Sequence, residues 1–242
     1  MKKILILSLV FSLSSCAQVQ QTLNQLPQIS SQIPGVGGVG GVDIASGLKE
    51  ALNKGITQQV SKLTAVDGFY KNEAVKILMP AELQKVDATL RKIGLSSLAD
   101  EGIKVLNRAA EDAVKEATPI FVSAVKNMSF TDAKNILLGN DSAATSYLQG
   151  TTTTALYGKF NPVIKNSFAK VGADVIWKNI INKYNTIPLV KKVNPDLTDY
   201  TTNQALAGVF KMIAVEEKDI RNNISARTTP LLQKVFAMQD GK

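Results

Sequence analysis

Histidine is missing from all 242 residues of this chain. It is the one side chain whose ordinary pKa lies near neutral, and it is the commonest ligand for zinc, copper and iron. Its absence removes Ser-His-Asp and Cys-His catalysis. An enzyme on this sequence would have to work with carboxylates, lysine, tyrosine or hydroxyls, so the reading leans away from an enzyme. Cysteine occurs once, as Cys16. An exported protein normally uses cysteines in pairs, so no disulfide staples this fold. No cysteine cluster holds a metal either, and neither a metal nor a cofactor is expected. Tryptophan also occurs once, as Trp177, and aromatic residues make up only 6% of the chain. Charge is absent from Ala17 to Val42. No stretch alternates apolar and polar residues strongly enough to predict a sheet.

What is present begins with a signal. Met1-Lys2-Lys3 is followed by the apolar run Ile4 to Phe11. That run is too short to span a bilayer, which takes roughly 20 apolar residues. Positive start, apolar middle and small residues after it match a cleavable secretory signal. Leu13-Ser14-Ser15-Cys16 resembles the lipobox of bacterial lipoproteins. The resemblance implies that Cys16 is lipidated with acyl chains, palmitate among them, and that residues 1–15 are removed. Two or three acyl chains meet the need for more than one lipid signal in stable anchoring. After Cys16 comes Ala17 rather than aspartate, so nothing resembles an inner-membrane retention signal. No acidic run resembling a surface-export signal follows. Both features favour the cell envelope, on the periplasmic face of the outer membrane.

Residues 16–42 then read as the lipidated cysteine and a flexible tether. The stretch is rich in Gln, Ser and Gly, with Pro27, Pro34 and the run Gly35 to Gly41. Such a coil reaches a root-mean-square length of roughly 30 Å. The glycine run lacks the flanking strand and the lysine of a phosphate loop, so nucleotide binding there is excluded.

Formal charge is +8, and loss of Lys2 and Lys3 with the signal leaves +6. Lysines and arginines are dispersed along the chain after Lys49, which by itself points to a generic basic surface. In an envelope such a surface would suit anionic lipid head groups, an acidic polymer or an envelope protein. Nucleic acid is not an expected partner.

Hydrophobic residues make up 45% of the chain, enough for a packed core. From Asp43 onward the apolar spacing is helical. Asp43 and Ser46 precede Leu48, Leu52, Ile56, Val60 and Leu63 at steps of three or four. Gly68-Phe69-Tyr70 is a break. Pro80 starts a segment with Leu83, Val86, Leu90 and Ile93, and Gly94 suits its C-terminal cap. Ser96 or Ser97 opens a long helix with the stripe Ile103, Leu106, Ala110, Ala113 and Ala117. Its small alanines would let other helices approach closely and make it central. Ser129 and Asp132 form a capping box, and Gly139 ends that helix. Asp141 or Ser142 caps a short helix through Leu148. The run Thr151 to Thr154 is unusual inside a helix, and Asn161-Pro162 starts another. Val175 to Tyr184 follows. Thr198 or Asp199 opens a second long helix with Leu206, Val209, Phe210 and Ile213. Thr229-Pro230 opens the last. The expected fold is all-α, a single multi-helix domain over residues 43–242 with roughly eight to ten helices.

Several segments together resemble a bacterial family known only as domain of unknown function 4197. They are Gly47 to Leu52, Asp67 to Tyr70, Asn107 to Glu111, Phe130 to Ala133, Ala143 to Thr145, Glu216 to Arg221 and Ala226 to Thr229. The resemblance implies a helical, exported and often lipid-anchored protein with no assigned activity, and it carries no catalytic residues.

Three constellations could carry chemistry. Continuing the stripe from Leu206, Phe210 and Ile213 lands on Glu217, so a carboxylate sits where a core residue belongs. A buried carboxylate is costly unless paired. Arg221, four residues on, and Arg227 are its candidate partners. The plain reading is an ion pair that holds the helix end; the functional one is a ligand-binding carboxylate or general acid. On the alanine-rich helix, Asn107 and Glu111 flank the core stripe while Arg108 and Asp112 are spaced to pair. A single buried network of Asn107, Glu111, Glu217 and Arg227 is expected if the two long helices pack together. The third constellation is Asp141 with the hydroxyls of Ser142, Thr145, Ser146 and Thr151 to Thr154, which could receive an anion or a sugar. Three roles remain open on these residues. One is a binding or structural module, one a carboxylate hydrolase or lyase acting on cell-wall glycan, and one a carrier of hydrophobic ligands.

Overall fold

The computed structural model describes residues 41–240 apart from 93, 95, 187, 190, 191, 193 and 195. The signal, Cys16, the tether up to residue 40 and Ile93 lie outside the described residues. Among these residues the fold is all-α, with no strand. In chain order, the helices are α1 (Gly41–Thr64), α2 (Gln84–Lys92), α3 (Ser96–Val114), α4 (Ala117–Asn127) and α5 (Phe130–Leu138). They continue with α6 (Ala143–Lys170), α7 (Ala173–Asn185), α8 (Thr198–Asn222) and α9 (Pro230–Phe236).

α1 starts inside the stretch assigned to the tether. Ile44 is buried in the core, and it continues the Leu48, Leu52, Ile56 stripe backward by one turn. Burying it in register requires a helical turn ahead of it, so Asp43 sits within the first turn rather than at a cap and its carboxylate pairs with Lys234 at 2.9 Å. α3 has the expected stripe as far as Ala113, with Leu106, Ala109, Ala110 and Ala113 buried, but it ends at Val114 and the expected Ala117 opens α4 instead. α3, α6 and α8 pack mutually through the middle of the molecule. α1 lies across α8 and also touches α4, α5 and α9. Buried apolar side chains form one cluster from Ile44 to Phe236.

The largest departure is α6. A short helix, a threonine run and a new helix at Pro162 were expected; one 28-residue helix runs through all of them. Ala144, Leu148, Thr152, Leu156, Phe160, Ile164 and Phe168 are all buried, at strict four-residue steps. Fully burying one large apolar side chain is worth about 1.5–3 kcal/mol. Several such side chains outweigh roughly 3 kcal/mol for one interior proline. The threonine hydroxyls also stay inside the helix: those of Thr151, Thr152 and Thr153 donate to the carbonyls of Tyr147, Leu148 and Gln149 at 2.8, 2.6 and 2.6 Å. A stripe of step four drifts around a helix of 3.6 residues per turn. α6 therefore meets different neighbours along its length: Thr145 near its start bonds Glu217 late in α8, and Tyr157 and Asn161 further on bond Asp199 and Thr202 at the start of α8.

Candidate functional site

Glu217 lies on the core face of α8, only 8% exposed, at the corner where α5 ends and α6 begins. Its Oε1 accepts the backbone N–H of Ala144 at 2.8 Å, and Oε2 accepts both the N–H and the hydroxyl of Thr145 at 2.8 Å. Arg221, one turn on, donates from Nε at 3.0 Å and Nη2 at 2.8 Å to Oε1. The same guanidinium donates to the carbonyls of Leu137 at 3.2 Å and Ile136 at 2.8 Å. The carboxylate therefore caps the positive start of α6, and the guanidinium caps the negative end of α5. Ser142, the expected local cap, makes no capping bond with its side chain. The anion site at this helix start is filled by the protein's own Glu217.

Glu216 points elsewhere and accepts from Gln59 of α1. The adjacent acids thus do not face one space. The partly open pocket beside Glu217, walled by Leu48, Leu52, Ile213 and Phe236, is small, about 30 Å³.

Asn107 and Glu111, four residues apart on α3, hold the irregular chain between α1 and α2. Asn107 Oδ1 accepts the N–H of Ile77 at 2.8 Å, and Nδ2 donates to the carbonyls of Ile77 at 2.8 Å and Ile103 at 2.7 Å. Glu111 Oε1 accepts the N–H groups of Phe69 at 3.1 Å and Tyr70 at 3.4 Å. Its other oxygen accepts from Arg108, which also pairs with Asp67. The expected Arg108–Asp112 pair is absent, because Arg108 is drawn to these two acids. Asp112 instead binds Lys115 at 2.8 Å and the Ser167 hydroxyl at 3.2 Å. Lys71 and Arg108 hold the Asp67 carboxyl below its usual range, and Glu111 raises Arg108. Gly68 follows, where a Cβ would sit 2.4 Å from the Lys62 carbonyl oxygen, and Phe69 is then driven fully into the core against α8. There Gly208 makes room, since a Cβ on it would lie 2.7 Å from Phe69 Cε1.

Arg227 is 2% exposed. It donates to the carbonyls of Ile220 at 3.1 Å and Arg221 at 2.9 Å, closing the end of α8. It also forks onto Asp240 at 2.7 and 2.8 Å, which ties down the last described residues and lowers the Asp240 pKa. Glu217 and Arg227 thus meet only through Arg221. Asn107 and Glu111 share no hydrogen bond with either. All four residues are buried as polar groups in the core, but they divide between two clusters rather than forming one network. Each serves a different break in the helical frame. Asp141 accepts from Asn222 at 3.3 Å, across the same α5–α6 corner.

Among the described residues, no group of three or more His, Cys, Asp or Glu side chains could hold a metal. Larger spaces are open. A groove of about 640 Å³ runs between α4 and α6 past Ile120, Ala124 and Tyr147. A cleft of about 410 Å³ lies at the α6–α7 end, between Lys165, Val175, Trp177 and Lys178. No helix among the described residues is long and apolar enough to cross a membrane.

The chain belongs to the family described as protein of unknown function (DUF4197), whose pattern matches residues 39–237. No curated protein and no solved structure matches it.

Proposed function

We propose that this chain is a lipid-anchored protein of the bacterial envelope whose helical body binds a partner or supports envelope structure without catalysis. The observation that carries this reading is the state of its two best-placed carboxylates. Glu111 and Glu217 are 4% and 8% exposed, and their oxygens accept backbone N–H groups and a guanidinium. A general acid must come within hydrogen-bond reach of its substrate. A two-carboxylate glycosidase also needs both acids on one cleft about 5–9.5 Å apart. These carboxylates instead serve helix ends and a turn.

Anchoring rests on the Leu13 to Cys16 signal and the uncharged stretch behind it. Growth with a clickable fatty acid tests it. The wild-type chain takes up label and fractionates with the outer membrane, whereas Cys16→Ser abolishes the label. Retained label in that variant would end the anchoring proposal. The binding reading is tested by crosslinking in live cells. Reproducible capture of one envelope component supports it, and turnover of a glycan substrate by the purified chain would overturn it.

A further inference from the structure

The net charge of this chain is concentrated in one place. Residues 142–195 carry seven lysines and a single acid, Asp174. Apart from Lys2 and Lys3, the rest of the chain is balanced, with nineteen basic and nineteen acidic residues. Residues 142–195 therefore carry +6 by themselves, and the interval up to the start of α8 adds only Asp196.

Elsewhere lysines are interspersed with acids: Lys62, Lys85, Lys92, Lys104, Lys126 and Lys218 are exposed and join no ion pair among the described residues, while others are engaged. Lys71, Lys115 and Lys234 pair with acids, and Lys49 and Lys211 donate to carbonyls. Lys159, Lys165, Lys170, Lys178 and Lys192 are all exposed, and among the described residues none of them joins an ion pair. Lys165 and Lys178 stand at the 410 Å³ cleft with Trp177 in its wall. Asp196 lines the same cleft, but its carboxylate accepts the Thr198 N–H at 2.8 Å. Lys170 ends α6 and is followed by the α6–α7 turn, where Val171 is 57% exposed and Gly172 takes φ +64°. Val175, one turn into α7, is 56% exposed, and Leu189 beyond α7 is fully exposed.

We propose that this end of the molecule, Lys165, Lys170 and Lys178 around Val171 and Val175, docks on an anionic lipid bilayer. Charge and shape agree on that occupant. Lysines near an anionic leaflet gain about fivefold in partitioning each. Aliphatic side chains between them can enter the head-group layer, as on interfacial helices. A soluble polyanion would use the lysines and leave the valines in water. The contact is independent of lipid on Cys16, and with an anchor on the opposite side of a tether it would hold the body flat against a membrane or bridge two.

Trp177 is the only tryptophan and lines the cleft, so its fluorescence reports on this end alone. The test uses the mature chain, residues 16–242 with Cys16→Ser, which removes both signal and anchor, mixed with phosphatidylglycerol or phosphatidylcholine vesicles carrying brominated acyl chains. Quenching of Trp177 emission by the brominated chains is expected on the anionic vesicles only. It reverses in roughly 0.5 M salt, where the Debye length is only a few Å. The triple variant K165Q/K170Q/K178Q should bind on the order of a hundredfold more weakly. Equal quenching on both vesicles, no quenching on either, or an unchanged triple variant would overturn the proposal. A Trp177 shift produced by dextran sulfate and not by anionic vesicles would overturn it in favour of an acidic polymer. The salt titration reads the chain with all three lysines intact, so the outcome stands even if the triple variant is poorly folded.

Discussion

The two ends of α6 use charge in opposite ways. At its start, Glu217 and Arg221 are buried, face each other at 2.8 Å and spend their hydrogen bonds on the ends of α5 and α6. Towards its far end, Lys165 and Lys170 are exposed and unpaired among the described residues. The difference follows from solvation. A buried charge is tolerated only when every lone pair and proton finds a partner, so it becomes part of the frame. An exposed lysine is solvated already, contributes little to stability, and remains free for an external anion. Function should therefore be sought where charge is spare, and stability where it is spent.

This contrast can be broken by substitution. Glu217→Gln leaves Arg221 buried without its counter-charge, and it should cost about 3–5 kcal/mol. At about 2–4 °C per kcal/mol for a chain of this size, the melting temperature should fall by roughly 10 °C. A loss under about 1 kcal/mol would mean that water solvates the pair and that the corner is not built on it. Asn107→Ala strands the N–H and carbonyl of Ile77, with an expected cost of about 1–3 kcal/mol per unsatisfied group. Hydrogen exchange should then speed up selectively at Phe69 to Ile77, and uniform acceleration across α3 would contradict the clamp.

Stability should be flat between pH 5 and 8, because no histidine titrates there. Hydrogen bonds from Lys71, Ser129, Thr198 and Arg227 hold the carboxyls of Asp67, Asp132, Asp196 and Asp240 below the ordinary aspartate value of 3.8. Carboxyls depressed in the folded state contribute stability that is complete above their unfolded pKa and is lost as pH falls through the folded value. Acid melting should accordingly begin near pH 4 and steepen below it, with Asp240→Asn showing a shallower fall than wild type. At the other end of α6, K165Q/K170Q/K178Q should change stability by no more than about 0.5 kcal/mol per site. The smallest effect is expected from Thr151→Ala, whose exposed hydroxyl only bonds back to its own helix, and a loss above about 1 kcal/mol there would be a surprise.

Much of the frame was readable from residue spacing. The stripes of α1, α3 and α8, the capping box at Ser129 and Asp132, and the Thr229-Pro230 start of α9 are local features and appear as expected. So is the burial of Glu217, since an acid on an apolar stripe of a long helix has nowhere else to go. What could not be read was the partner of each buried polar group. Asn107 finds Ile77, thirty residues away, and Glu217 finds Thr145, seventy-two away. Such pairings depend on which helix ends meet. The continuity of α6 was hidden for a related reason: Pro162 and the threonine run are local breakers, and only the core on its buried face overrules them. The uneven charge was visible in the sequence, but only the structure shows which of those lysines stand exposed at one cleft.

Composition alone excluded histidine and disulfide chemistry, and periodicity alone made the fold helical, because both depend on residue identity and on neighbours within a turn. The assignment of Glu217, Arg221 and Arg227 to helix ends, and of the lysines around Val171 and Val175 to an open surface, came from packing. Whether a charge is spent or spare depends on distances between segments far apart in the chain, and no local rule encodes those.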